Sequence, residues 1–315
     1  MEKHFDILVV GELNVDLILN DIEKFPEVGK EVLAHGMTLT LGSSSAIFAS
    51  NISSLGARTA FLGKIGPDKF GEVVVESLQA NHVDVSMIKA DKNAGTGATI
   101  ILNVGEDRAM VTYQGAMDLL KPEDITEADL KRARHLHFSS YFLQSGMRKG
   151  LGKLFRIARN LGLTTSFDMQ WDPKESWELD VMDVLPHVNV FLPNEKEIMY
   201  LSRKKNLEEA IGSIKKYTQI LVIKRGNKGS MVVSGDRVTD LPPFLNRDVV
   251  DAIGAGDSFN AGFIYKFVQG KDLAECQRFG NLTGAISTTA AGGTAAFRDM
   301  EACRKIAKEK FGVDM

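Results

Sequence analysis

Short strand-like runs, several of them continuously apolar, recur along the chain, and each closes on glycine or polar residues: 6–10 before Gly11, 135–139 before Ser140, 163–167 before Asp168, 188–192 before Pro193 and 220–223 before Lys224. Runs of this length, bounded by turn residues, are the pattern of strands buried on both faces, as in a parallel sheet. Stretches with helical spacing alternate with them, at 125–134, 147–161, 258–268, 277–290 and 300–310. The alternation predicts an α/β protein with a mostly parallel central sheet covered by helices.

Two stretches break this rhythm. Residues 17–41 hold short alternating runs punctuated by Pro26, Gly29 and Gly36. Residues 96–103 and 108–113 are β-rich runs separated by Val104-Gly105-Glu106-Asp107, a hairpin signal. Insertions at about 15–40 and 95–115 therefore predict a small sheet set apart from the main body, within one domain spanning 1–315.

Composition narrows the class. The chain's 315 residues can bury a substantial core without staples, and Cys276 and Cys303 stand alone, without disulfide or metal spacing. No signal-peptide pattern opens the chain and no apolar run approaches a membrane span, so a cytoplasmic protein with no membrane partner is expected. A formal net charge of -3 with scattered Lys and Arg gives no basic stripe for nucleic acid.

The densest chemistry lies at Asp251-Ala-Ile-Gly254-Ala255-Gly256-Asp257-Ser-Phe-Asn-Ala-Gly262-Phe. Small residues at a helix start leave backbone N–H groups free to meet an anion, and Asp257 could accept the proton of a hydroxyl attacking a phosphate. A tight connection followed by a dipole-pairing Asp explains the same residues. After the first strand, Asn14 and Asp16 point the same way at period two, and amide and carboxylate groups suit sugar hydroxyls, although turn chemistry favours them too. Asn194 and Glu197 lie one helical turn apart, where they could orient water around Mg²⁺ or form a capping box.

These segments resemble the ribokinase-like (PfkB) carbohydrate kinases. DAIGAGDSFNAGF is similar to their C-terminal signature, Gly11-x-x-Asn14-x-Asp16 to their opening motif, and Asn194-x-x-Glu197 to their magnesium motif. Lys224-x-Gly226-x-x-Gly229 is similar to their nucleotide-side turn. The resemblance implies a three-layer α/β/α sandwich with a β-sheet lid that often pairs with another subunit's lid, and hence a homodimer. It implies ATP and Mg²⁺, with Gly254, Ala255 and Gly256 as an anion hole and Asp257 as base. Asn14, Asp16, Gly42, Ser43, Asp168 and Gln170 would meet the sugar. Asn194, Lys224, Gly226, Gly229 and Asn281 would serve the nucleotide, and Glu197 with Asn194 would hold Mg²⁺ through water. Asp251, Ile253 and Gly293 would offer oxygens to a monovalent cation such as K⁺.

The chain departs from the family pattern at four positions. Ser43 replaces a glycine, Ile47 an asparagine that binds a sugar hydroxyl, and Gln170 and Asp172 stand where several relatives write Asn and Arg. An ATP-dependent sugar kinase is the expectation. A nucleoside kinase is the alternative, with Ile47, Phe48, Tyr113 and Phe142 lining a base pocket, and a non-catalytic sugar sensor is another. A nicotinamide dehydrogenase lacks its G-x-G-x-x-G after the first strand. The acids Asp16, Asp168, Asp172 and Asp257 predict a neutral acceptor, with Lys64 and Arg108 as the cations that could reverse this.

Overall fold

The computed structural model describes residues 3–105 and 107–315. Strands β1 (Phe5–Val10), β2 (Asn14–Asn20), β3 (Gly36–Leu41), β4 (Thr59–Ile65), β5 (Asp84–Ala90), β6 (Gly97–Val104) and β7 (Asp107–Tyr113) come first. β8 (Ala133–Ser139), β9 (Thr164–Asp168), β10 (Val190–Phe191), β11 (Ile220–Lys224), β12 (Ser230–Ser234) and β13 (Arg237–Leu241) follow. Nine of them form one sheet in the order β13-β12-β11-β10-β9-β8-β1-β4-β5. All neighbours run parallel except at β12, which is antiparallel to both β11 and β13.

β1 explains why the sheet is covered on both faces. Ile7 and Val9 pack into a core with Phe48, Phe61 and Phe263, while Leu8 and Val10 pack into another with Phe138, Phe155 and Phe167. Successive side chains point to opposite faces, so an unbroken apolar run needs helices above and below. All four residues are fully buried, each worth roughly 1.5–3 kcal/mol of hydrophobic transfer. Helices Ser44–Ser54, Lys69–Ala80 and Ala255–Val268 cover the first face, and Leu151–Asn160, Glu195–Ser202 and Leu207–Ile214 the second. The closing helix, Met300–Phe311, packs Cys303 and Ala307 against Leu282 and Ile286, and both cysteines are free and buried.

The smaller sheet, in the order β3-β2-β6-β7, draws its strands from the two predicted insertions. Its face bearing Asn14, Asp16 and Thr99 turns toward the main body. The opposite face carries Met37, Leu39, Ile100 and Val111 in exposed positions. Gly105, at φ +59°, belongs to the predicted hairpin, and Glu106 lies outside the described residues.

Several boundaries differ from the sequence reading. The helix expected at 125–134 is only Glu127–Lys131, because a Thr126/Asp129 capping box starts it late and β8 begins at Ala133. The helix expected at 147–161 is split, with Ser145–Arg148 ending before Gly150. Asp272 caps the helix expected at 277, so that it begins at Leu273. Among the described residues, no helix is long and apolar enough to cross a membrane.

Candidate active site

The helix Ala255–Val268 begins with no side-chain cap. Gly254 precedes it at φ +73°, and a Cβ there would come within 2.6 Å of the Gly293 Cα, so both conformation and space call for glycine. The N–H groups of Gly256 and Asp257 have no acceptor among the described residues. The Ala255 N–H instead turns back to the Ala252 carbonyl at 3.3 Å. The Ala255 N–H is therefore engaged within the turn, whereas those of Gly256 and Asp257 are open.

The carboxyl ends of four parallel strands converge beside this turn, the usual position of ligand sites in α/β sheets. β1 leads to Glu12, β8 to Ser140, β9 ends on Asp168 and β11 on Lys224. Asp168 is fully buried and accepts from Lys224 Nζ at 2.6 Å, Asn260 Nδ2 at 2.6 Å and Gln170 Nε2 at 3.0 Å. Gln170 Nε2 also donates to Asp257 Oδ1 at 2.9 Å. Burial, followed by the charge of Asp168, pushes the Asp257 carboxyl up to about 8, with Lys224 and a Ser44 hydrogen bond opposing. Burial alone would lower Lys224, but Asp168, Glu197 and Asp257 outweigh it and hold its pKa above the usual lysine value.

A cavity of about 830 Å³ opens on one side of the turn, lined by Asn14, Asp16, Ser43, Gln170, Gly254 and Asp257 among others. Asn14 Nδ2 donates to Asp16 Oδ1 at 3.0 Å, and burial raises Asp16 to about 6. Gly42 does not line this space. A Cβ on it would sit 2.3 Å from Asp16 Oδ1 and 2.5 Å from Asn14 Nδ2, so its role is to let those side chains through. Ser43 has φ +68°, which explains why glycine suits the position. Its hydroxyl accepts from Ala46 N and donates to the Glu12 carbonyl.

Five residues named from sequence are elsewhere. Asp168 lies behind Gln170 and Lys224, holds both by hydrogen bonds and lines neither cavity. Asp172 turns away from the cavity because its carboxylate accepts from Lys174 N, Trp177 N and the Ser176 hydroxyl. Burial would raise its pKa, but these donors outweigh that and lower it. Phe48 is stacked on His137 at 3.7 Å inside the core, and Tyr113 is 56% exposed on the outer face of the small sheet, so the predicted base pocket does not assemble. Lys64 is paired with Asp124 at 2.9 Å, outside the cavity.

The second cavity, about 380 Å³, holds Lys224, Gly226, Gly229, Gly256 and Asn281 around the apolar Phe244 and Val249. Ala252 lines both cavities, so the glycine turn is their common wall. Asn194 and Glu197 form the reciprocal capping box, at 2.8 and 2.9 Å, and line neither cavity. They adjoin Lys224 through the Asn194 bridge, and Glu197 Oε1 and Asn194 Nδ2 carry no hydrogen bond among the described residues, which leaves atoms to hold a water. Burial and then Asp168 raise the Glu197 pKa. Asp251 accepts from Ile253 N and Gly292 N, and the Gly293 carbonyl accepts from Asn51 Nδ2. No group of three or more His, Cys, Asp or Glu is placed to hold a metal among the described residues.

Sequence reasoning missed Glu12, Asn51 and Asn260. Glu12 is buried, accepts from Ser45 N and the Ser140 hydroxyl, and has its pKa raised by burial. An acid directly after a buried strand was the available signal. Asn51 and Asn260 look like ordinary helix positions until the fold brings Ser258 and Asp168 to them.

Residues 4–300 match the family model described as pfkB family carbohydrate kinase. An uncharacterized sugar kinase of Archaeoglobus fulgidus is 31% identical, over 74% of this chain and 92% of its own length. 5-Dehydro-2-deoxygluconokinase 1 of Bacillus cereus is 26% identical, over 90% and 89% respectively. Arabidopsis thaliana ribokinase, solved with ribose and ATP, shares the fold at a TM-score of 0.82 and 21% identity, covering 96% of this chain and 99% of that one. The chain belongs to the pfkB family of carbohydrate kinases and is a phosphotransferase with an alcohol group as acceptor.

Proposed function

We propose that the protein transfers the γ-phosphoryl group of ATP to a hydroxyl of a small carbohydrate bound in the larger cavity, with Asp257 as base. The observation that carries this is the shared wall: Asp257 and Gly254 face one cavity, and Gly256 with Lys224 faces the other. The hydroxyl proton goes to Asp257, the new O–P bond forms as the bond to the β-phosphate oxygen breaks, and ADP leaves. The free N–H groups of Gly256 and Asp257 meet the oxygens on which negative charge gathers. Lys224 adds a fixed charge whose position Asp168 sets.

Mg²⁺ bound with ATP neutralises phosphate charge. Glu197 and Asn194 would hold it through water, and Asp251, Ile253 and Gly293 would give oxygens to K⁺ beside the turn. The smaller sheet is the lid, and its outer apolar face, with Met37, Leu39, Ile100 and Val111 exposed, is where two copies pair.

An ADP-release assay over fructose, ribose, adenosine and sugar acids tests the reading. Turnover of at least one sugar, lost in Asp257→Asn, is expected. Turnover of adenosine alone would replace it with the nucleoside reading, and no ATP-dependent turnover of any acceptor would end it.

A further inference from the structure

The cavity beside Asp257 contains three cations drawn from three separate parts of the chain. Arg108 comes from β7, Arg148 from the short helix Ser145–Arg148, and Lys174 from the turn after β9. None has a carboxylate within 4.0 Å among the described residues, although Glu12, Asp16, Asp118 and Asp257 line the same space. Those acids are occupied otherwise: Glu12 by Ser45 and Ser140, Asp16 by Asn14, Asp118 by Ser145 N, and Asp257 by Gln170.

Arg148 is the most fixed of the three. Its Nη2 donates to the Phe142 carbonyl at 2.7 Å, its guanidinium lies over the rings of Tyr141 and Phe142 at 5.7 and 5.9 Å, and its Nε is buried without a partner. A guanidinium held by packing, with donors left over, is preorganised for an anion. Register separates Arg108 from the sugar-hydroxyl end. Asp16 pairs with Thr99 and Thr99 with Thr112, whereas Arg108 lies four residues further along β7, roughly 13 Å at the rise of a strand.

We propose that the acceptor carries an anionic group, a carboxylate or a phosphate, at the end away from the phosphorylated hydroxyl, bound by Arg148 with Arg108 and Lys174 at the rim. The inference deepens the kinase reading above and rests on it. Repulsion from the acids does not forbid such a ligand. Asp172 faces away, and burial pushes the Asp257 carboxyl up to about 8, which lowers its share of the negative charge near neutrality. The prediction of a neutral acceptor counted Asp168 and Asp172 as cavity charges, and neither lines the cavity.

The test compares fructose, 2-keto-3-deoxygluconate and fructose 6-phosphate as probes, by kcat/KM and, in parallel, by binding calorimetry. A charged probe is expected to exceed fructose by about tenfold or more, and the better of the two identifies carboxylate or phosphate. Arg108→Gln and Lys174→Gln alter exposed side chains with no side-chain partner among the described residues, and each should lower the ratio of charged to neutral probe, as should Arg148→Gln. Equal or better use of fructose, or a ratio unmoved in all three variants, overturns the inference and leaves the kinase reading intact. If none of the three probes is turned over, the calorimetric ratio decides between charged and neutral ligands, and the kinase reading is decided by the wider acceptor panel.

Discussion

Gln170 Nε2 donates to Asp257 Oδ1 at 2.9 Å. The second proton of the same amide goes to Asp168, so one side chain ties the proposed base to the Asp168–Lys224 pair. Gln170 holds φ at +60°, which costs a non-glycine residue roughly 1–2 kcal/mol. Strain of this kind at a site is consistent with a positioning role.

Gln170→Ala should therefore lower kcat by about tenfold and move the rise of activity with pH to higher pH. A donor to the carboxylate favours its charged form, and removing it raises the pKa of the base. A pH–rate profile of the variant checks this. An unshifted profile with unchanged kcat would show that Gln170 positions nothing.

Stability should respond to Asp257 with a defined sign. Its folded pKa, about 8, lies above the ordinary aspartate value of 3.8. Ionising it costs the folded state more than the unfolded one, and the loss accumulates as pH rises from about 4 to 8. Asp257→Asn lacks that cost and keeps an oxygen for Gln170, so it should be more stable than wild type at pH 8 by up to about 5 kcal/mol, with the gap closing toward pH 4. Thermal melts across this range check it, and a gap that widens on acidification would contradict the assigned shift.

Lys224→Met leaves Asp168 buried against Asn260 and Gln170 without its cation. Breaking a buried pair in this way costs roughly 3–5 kcal/mol. Adding Asp168→Asn should recover much of the stability but not the activity, because the charge facing the nucleotide cavity stays missing. Denaturant melts beside kinetics separate the two effects, and recovery of activity in the double variant would contradict a role for Lys224 in transfer.

The layers were readable from the chain because β1 and β11 carry apolar runs with no polar face, a pattern that only a sheet covered on both sides tolerates, whereas β8 and β9 bury His135, His137 and Ser166 among their apolar residues. The glycine turn was readable because Gly254 adopts a left-handed conformation that few other residues enter. What was not readable depends on where side chains turn after the backbone is set. Asp172 looked like a cavity charge, yet its neighbours' N–H groups draw it inward. Arg148 has an ordinary sequence context, and only the packing of Tyr141 and Phe142 brings it to the cavity. The edge strand β5 is half exposed and lacks the continuous apolar run that marks the central strands.

The central claim is that Asp257 accepts the acceptor's proton at the wall between the two cavities. The most direct test is kcat of Asp257→Asn on the substrate found by the ADP-release assay, with ATP affinity measured on the same preparation. The account predicts a loss of about 10²–10⁴ in kcat with ATP affinity retained. A variant that binds ATP and keeps more than about half of wild-type kcat would contradict it.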